Sequence, residues 1–166
     1  MSTEDFVARK LRSLGFEVQR IQVGTTKTPD LLLSDGTCKY LIEVKDKFPD
    51  PQRERRRADV LNRGEIWDEE KPLAYRNAIS YVIRHAAAQL STFGAEPVDF
   101  RLVWLHARDR HPDTQLIQFQ ATLFGSVDLI DLAEISDSVL AHPCFYFDFA
   151  EFFRFSDVLD LSLIHI

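Results

Sequence analysis

The sequence predicts an α/β fold, in which helices flank a mixed central β-sheet. Helical and strand-like hydrophobic patterns alternate along the chain in the order helix, three strands, polar insert, helix and two strands. The length of 166 residues and the apolar content of 45% are those of one domain with a sizeable core. We therefore expect a single domain over residues 1–160.

The N-terminal third predicts one helix and three strands. Ser2 or Thr3 can cap the helix and Gly15 can end it, with apolar residues at helical spacing between these points. Three segments rich in Val, Ile, Leu and Phe are expected as strands: Phe16–Val23, Asp30–Leu33 and Lys39–Val44. The turn Ser34–Gly36 is expected to join the last two strands as an antiparallel hairpin.

The middle of the chain is less regular. Residues 46–73 carry several prolines and clustered charges, which indicates a surface insert with a helix at Gln52–Asn62. Asn77 is expected to cap a helix over Ala78–Phe93, and a buried strand is expected at Phe100–His106.

The last third is acidic and aromatic. After a polar loop, alternating apolar residues predict a strand at Leu116–Phe124. Residues 111–160 form an extension rich in Phe and Tyr, for which we expect core packing or a protein partner. The final residues 161–166 are either an apolar terminal strand or a non-native tail, and the sequence leaves both open.

The net charge of −6 is unevenly distributed. Residues 1–110 hold 19 Lys and Arg against 17 Asp and Glu, whereas residues 111–166 hold 1 against 9. The acidic total argues against nonspecific coating of nucleic acid by the whole molecule. It leaves room for a local basic surface on the first two thirds of the chain.

Composition also excludes several classes of protein. The content of Phe, Leu and Ile is too high for a disordered chain, and no apolar run approaches the roughly 18 residues of a membrane span. The polar, acidic N-terminus is unlike a signal peptide, and two cysteines form no disulfide framework or metal motif. We therefore expect a reduced, cytoplasmic protein without a membrane partner.

The residues best placed for chemistry lie on the predicted hairpin. Side chains alternate along a strand, so Glu43 and Lys45 share one face, and the turn brings Asp30 back beside them. Carboxylates are hard oxygen ligands that suit magnesium, with the Val44 carbonyl as a further candidate ligand. Lys45 can orient or deprotonate an attacking water and offset phosphate charge.

Each short motif alone is weak. Glu-x-Lys recurs at Glu69–Lys71, and Pro-Asp recurs at Pro49–Asp50 and Pro112–Asp113, all in polar segments with no apolar strand to fix them. The alternative interpretation of the hairpin residues is an Asp at a turn and an exposed Glu/Lys pair on a sheet.

The order of these residues resembles the PD-(D/E)XK nuclease superfamily, most closely archaeal Holliday junction resolvases and small restriction-endonuclease-like domains. Glu4 lies on the first helix, Leu14-Gly15-Phe16 leads into the first strand, and Asp30 precedes Glu43-Val44-Lys45. The resemblance covers residues 3–106 and is one of pattern. It implies a restriction-endonuclease-like α/β sandwich with a mixed central sheet.

The resemblance also implies roles. Asp30 and Glu43 would hold Mg²⁺, for which Mn²⁺ could substitute, and Lys45 would be the catalytic lysine. Glu4 would be a first-helix carboxylate near the metal water, a role for which Asp5 competes. Gln89 occupies the helix position at which related nucleases often carry a polar active-site residue.

Arginines near this segment are candidates for binding nucleic acid. Four follow Lys45 closely and a fifth lies on the helix predicted at Ala78–Phe93: Arg53, Arg55, Arg56, Arg57 and Arg84. A solvated helical face, with Glu54 and Asp59 as ion-pair partners, is the alternative for the first four.

The sequence thus predicts a magnesium-dependent phosphodiesterase that hydrolyses nucleic acid, DNA rather than RNA, as an endonuclease. Two alternatives stay open. One is a catalytically silent module of nuclease fold, with the acidic extension as its protein-docking surface. The other is a structure-selective Holliday junction resolvase, which would be a homodimer with two metal sites.

Overall fold

The structure is a computed structural model that describes residues 2–22, 27–130 and 141–165. Its elements follow one another as α1 (Thr3–Ser13), β1 (Glu17–Arg20), β2 (Leu31–Ser34), β3 (Lys39–Lys47), α2 (Pro51–Asn62), α3 (Asn77–Ser91), β4 (Phe100–Ala107), α4 (Pro112–Phe124), β5 (Ser126–Ile130), β6 (Ala141–Phe145), a 3₁₀ turn (Phe147–Phe149), α5 (Glu151–Arg154) and β7 (Leu161–His165). Part of the first predicted strand, at residue 23, lies outside the described residues.

Five strands form the central sheet in the order β1-β2-β3-β4-β7. The pairs β1/β2 and β2/β3 are antiparallel, whereas β3/β4 and β4/β7 are parallel. The predicted mixed sheet with flanking helices is therefore confirmed, and so is the β2–β3 hairpin. Strands β5 and β6 form a separate two-stranded sheet.

The two faces of the central sheet are covered by different helices. Along β3, Ile42 and Val44 pack with α1 residues in one cluster, while Leu41 packs with α3 and α4 residues in another. This follows from the alternation of side chains along a strand. Glu43 and Lys45 have the same parity as Leu41 and so belong to the α3 side.

The predicted strand at Leu116–Phe124 is wrong, because these residues belong to helix α4. Pro112 lies in the first turn of α4, where its missing N–H costs nothing. The helical pattern of apolar residues is obscured because two glutamines occupy buried positions in α4. Gln118 donates to the Pro72 carbonyl (2.6 Å), and Gln115 donates to the Lys47 carbonyl (3.3 Å). These two amides tie the insert and the end of β3 to α4.

The expected cap of α3 is also wrong. Asn77 is the first helical residue, and the N-cap position is occupied by Arg76, whose side chain makes no capping bond. The Arg76 N–H instead donates to the Thr122 hydroxyl of α4 (3.0 Å). In α1, by contrast, Ser2 and Asp5 form the reciprocal capping box that its sequence allows.

The acidic extension contributes to the main core. Phe119, Leu123 and Leu159 are buried in the cluster on the α3 side of the sheet. Residues 161–165 form β7, which pairs with β4 and has the form of the terminal strand considered above. Other aromatic residues of the extension are on the surface, with Phe149 63% exposed and Phe145 57% exposed. Within the described ranges, no helix combines the length and apolarity that a membrane crossing requires.

A buried carboxylate fastens the extension to α3. The Glu151 side chain is 1% exposed, and its Oε1 accepts hydrogen bonds from four donors: Tyr75 (2.6 Å), Ser80 (2.7 Å), Arg154 (3.0 Å) and Arg84 (3.2 Å). Burial alone would raise the pKa of Glu151, but hydrogen bonds from Arg84, Tyr75 and Ser80 outweigh burial and lower it.

Replacing Glu151 by Gln is expected to reduce the free energy of unfolding at pH 7 by about 2 kcal/mol, since hydrogen bonds to a charged acceptor are lost. The pKa of Glu151 is lower in the folded protein than its ordinary 4.5. The stabilisation that Glu151 provides is therefore complete above pH 4.5 and disappears as the pH falls through the pKa of Glu151 in the folded protein. Urea denaturation of both proteins at pH 7 and at pH 3 should show the difference shrinking in acid.

The matched control is Glu65→Gln. Glu65 pairs with Arg63 on the surface, where both side chains are more than half exposed, so its loss should change stability by less than about 0.5 kcal/mol. An equal loss in the two variants at pH 7 would contradict the role assigned to Glu151.

Candidate active site

Strand register brings Asp30 opposite Glu43. Leu31 pairs with Ile42 in the antiparallel hairpin. Asp30 is the residue immediately before β2, and its N–H donates to the Ile42 carbonyl (3.1 Å). The Asp30 carboxylate accepts a hydrogen bond from the Val44 N–H (2.8 Å). Asp30 is therefore fixed at the start of β2 by the strand that carries Glu43.

Lys45 joins the same group from the next position on that face of β3. Its ammonium group donates to Glu43 and also to the Gln89 side-chain oxygen of α3 (2.7 Å). Gln89 in turn donates to the Thr28 carbonyl (3.3 Å), two residues before Asp30. Gln89 thus connects the lysine to the segment that leads into β2.

Burial and neighbouring charge perturb both carboxyl groups. The Glu43 side chain is 1% exposed, and burial raises its pKa to about 7. Lys45 counteracts this shift, whereas Asp30 adds to it. Burial likewise raises the pKa of Asp30, although the Val44 N–H and Lys45 both act to lower it.

Glu4 of α1 acts on this group through its charge. It lies in the first turn of that helix, and its negative charge is among the causes that raise the pKa of Asp30. Arg20 of β1 holds Glu4 at 3.5 Å. Asp5, the alternative first-helix carboxylate, is engaged in the capping box with Ser2 and in an ion pair with Arg20 at 3.0 Å.

The residues present fit a hard divalent cation. Glu43 Oε2 is buried and has no hydrogen-bond partner. A buried carboxylate oxygen of this kind can accept a hydrogen bond or bind a metal ion. Asp30 lies beside it, and magnesium requires only one or two protein carboxylates because it retains waters. Across the parts of the chain that the structure describes, no group of three or more His, Cys, Asp or Glu side chains is close enough to form a metal cage.

The predicted arginines occupy different surroundings. Arg53 pairs with Glu69 and donates to the Glu70 carbonyl (3.4 Å), and Arg84 pairs with Glu151. Arg55 and Arg56 are exposed on α2. Arg57 is partly buried and lines a cleft of about 660 Å³, together with Trp67 from the segment before α3 and Arg110 from the segment after β4.

Two contributions to this region have no sign in the sequence. The Thr28 carbonyl and the Asp46 side chain each bond to residues far away in sequence, Thr28 to Gln89 and Asp46 to Thr3 and Arg108. No local pattern marks such partners. The sequence pattern places Gln89 on a helix, but its contact with Lys45, 44 residues earlier, has no local sign.

Comparison with known proteins identifies no relative: no family model, no curated protein and no solved structure matches the chain.

In metal-free buffer, Glu43→Gln is expected to be more stable than the wild type by about 1–3 kcal/mol at pH 8. The pKa of Glu43 is about 7 in the folded protein against an ordinary 4.5, so ionisation costs more in the folded state. Stability of the wild type should therefore fall as the pH rises from 4.5 to 7, and the glutamine should remove this loss. Urea denaturation in EDTA from pH 4.5 to pH 8 measures the difference.

The exposed β1 residue Glu17 provides the control, because Glu17→Gln removes a carboxylate that is already in water. Its stability should follow that of the wild type at every pH. A Glu43→Gln variant that is less stable than the wild type at pH 8 would contradict the assigned burial cost.

Proposed function

We propose that this protein is a magnesium-dependent nuclease of restriction-endonuclease-like fold that hydrolyses phosphodiester bonds in DNA. The observation that carries the proposal is the buried Glu43 carboxylate, which lies beside Asp30 with one oxygen unpartnered and Lys45 on its other oxygen. A costly arrangement of this kind is typical of a site built for a ligand.

The strand arrangement supports the fold assignment. An antiparallel hairpin carries Asp30, Glu43 and Lys45, and a parallel strand, β4, then pairs with β3 along its whole length. The connection between β3 and β4 includes α3, which covers the site. This is the order of elements that the resemblance to PD-(D/E)XK nucleases implies.

Asp30 and Glu43 would hold Mg²⁺ or Mn²⁺, and Glu4 would lie near the metal-bound water. The bound ion would supply charge neutralisation at the phosphate and a lowered pKa for the attacking water. The Val44 carbonyl remains a proposed ligand from the same strand.

Lys45 has two duties in the proposed reaction. Held by Glu43 and Gln89, its ammonium group presents a proton donor beside the carboxylates, where it can orient the attacking water and offset phosphate charge. Water adds to phosphorus as the bond to the leaving oxygen breaks, which gives a phosphate monoester and a free hydroxyl group. Gln89 keeps Lys45 in place through its second hydrogen bond, to Thr28.

Replacing Lys45 by Met is expected to reduce magnesium-dependent cleavage of duplex DNA by at least about 100-fold, because a positioned group for proton handling and charge is lost. Asp30→Asn should have a comparable effect through loss of the metal. The measurement is the single-turnover cleavage rate over a range of Mg²⁺ concentrations, with linear duplex, branched, single-stranded and RNA substrates.

Lys47→Met is the matched control, since Lys47 lies two residues after Lys45 on the same face of β3. It should retain most of the wild-type rate. Robust cleavage by folded Lys45→Met or Asp30→Asn would refute the site. Inactivity of the wild type on every substrate with both metals would favour a silent binding module instead.

The arginines of α2 are proposed to contact DNA phosphates. Arg55 and Arg56 are exposed, and the ion pairs found within the described residues do not include them. The double variant Arg55→Ala/Arg56→Ala should weaken DNA binding and reduce the slope of log Kd against log salt by about 1–2, since each phosphate contact contributes about 0.9. Binding is measured with Ca²⁺ in place of Mg²⁺ to suppress cleavage.

Arg63→Ala serves as the comparison, because Arg63 is bound to Glu65 by two hydrogen bonds at the end of α2. Its salt slope should match that of the wild type. An unchanged slope in the double variant would assign Arg55 and Arg56 to an ordinary solvated helix face.

A further inference from the structure

A polar network fastens the first turn of α1 on the sheet face opposite Lys45. The Thr3 hydroxyl donates to the Asp46 carboxylate, and Arg108 donates both to Asp46 (3.2 Å) and to the Thr3 hydroxyl oxygen (2.8 Å). Thr3 is only 5% exposed. Three elements, α1, β3 and the end of β4, are therefore joined by side chains that satisfy one another.

The network joins the immediate neighbours of two proposed site residues. Thr3 directly precedes Glu4, and Asp46 directly follows Lys45. Because side chains alternate on β3, Asp46 faces α1 while Lys45 faces α3. The network thus connects the helix that carries Glu4 to the strand that carries Glu43 and Lys45. Its members lie on the other face of the sheet from Glu43.

A second contact restrains the same turn from the other side. Arg20 of β1 binds Glu4 (3.5 Å), Asp5 (3.0 Å) and the Ser2 hydroxyl (3.1 Å). Helix termini fray unless their groups are bound, and α1 begins at Thr3 itself. The first turn, and Glu4 with it, is therefore fixed between β1 and the end of β3.

We propose that Thr3, Asp46 and Arg108 are positioning residues that hold the first turn of α1, and with it Glu4, beside the proposed magnesium site. The inference rests on the proposed function, in which Glu4 lies near the metal. None of the three residues need touch the metal or the DNA. They act through Glu4, as outer-shell partners orient the ligands of a metal site.

Thr3 offers a nearly isosteric pair of variants. Thr3→Val keeps the shape and removes the hydroxyl, whereas Thr3→Ser keeps the hydroxyl and removes a methyl group. We expect Thr3→Val to weaken Mg²⁺ binding about tenfold, the lower range for outer-shell substitutions, and Thr3→Ser to stay within about twofold of the wild type. Mg²⁺ affinity is measured by calorimetry on the full chain, and by the Mg²⁺ concentration that gives half-maximal cleavage.

A double-mutant cycle separates positioning from general stability. If Thr3 acts through Glu4, Thr3→Val should have less than about a twofold further effect in a Glu4→Gln background, since interacting sites are not additive. A tenfold effect that persists in that background overturns the proposal, and so does equal Mg²⁺ affinity for Thr3→Val and Thr3→Ser. Asp59→Asn, a surface carboxylate on α2, should bind Mg²⁺ as the wild type does.

A second variant covers the case in which Thr3→Val fails to fold. Asp46→Asn keeps one oxygen acceptor for Thr3 and removes the charge that binds Arg108, and the same cycle with Glu4→Gln applies to it. Wild-type protein that neither binds Mg²⁺ nor cleaves any substrate would overturn the proposed function itself. Wild-type binding and cleavage with unchanged affinity in Asp46→Asn would overturn only the positioning network.

Discussion

The antiparallel pairing of β2 with β3 is the constraint on which the candidate site depends. It places Asp30 against the strand segment that contains Glu43 and lets the Val44 N–H bind the Asp30 carboxylate at 2.8 Å. A shift of one residue in this register would send Glu43 and Lys45 to the α1 face and bring Ile42 and Val44 to the α3 face. The hydrophobic residues of both faces therefore enforce the position of the polar ones.

Two carboxylates in this fold are equally hidden from solvent and yet differ in chemistry. Glu43 and Glu151 each have side chains that are 1% exposed. One oxygen of Glu151 accepts four hydrogen bonds and the pKa of Glu151 is lowered, whereas Glu43 has Lys45 as its partner, a second acid beside it and a raised pKa. The first arrangement stabilises the fold, and the second costs stability in the absence of a ligand, as functional groups often do.

Sequence patterns predicted the local part of this structure and missed the part that depends on distant partners. The hairpin can be predicted from the sequence because the alternation of side chains along its strands and the turn Ser34–Gly36 are enough to define it. Helix α4 has the sequence pattern of a strand because Gln115 and Gln118 resemble surface residues, whereas in the structure both are buried and bonded to the carbonyl groups of Lys47 and Pro72. The hydrogen bonds of Glu151 cannot be predicted from the neighbouring sequence, because the donors Tyr75, Ser80 and Arg84 lie 67 to 76 residues earlier.

The separation of these contacts along the chain has a consequence for how the molecule folds. Asp30 meets Val44 across only 14 residues, whereas Lys45 reaches Gln89 across 44 and β3 pairs with β4 across about 60. Short loops close at a smaller entropic cost than long ones, so the hairpin can form first while its carboxylates are still hydrated. The cost of burying Glu43 then falls on the later step in which α3 docks on the hairpin.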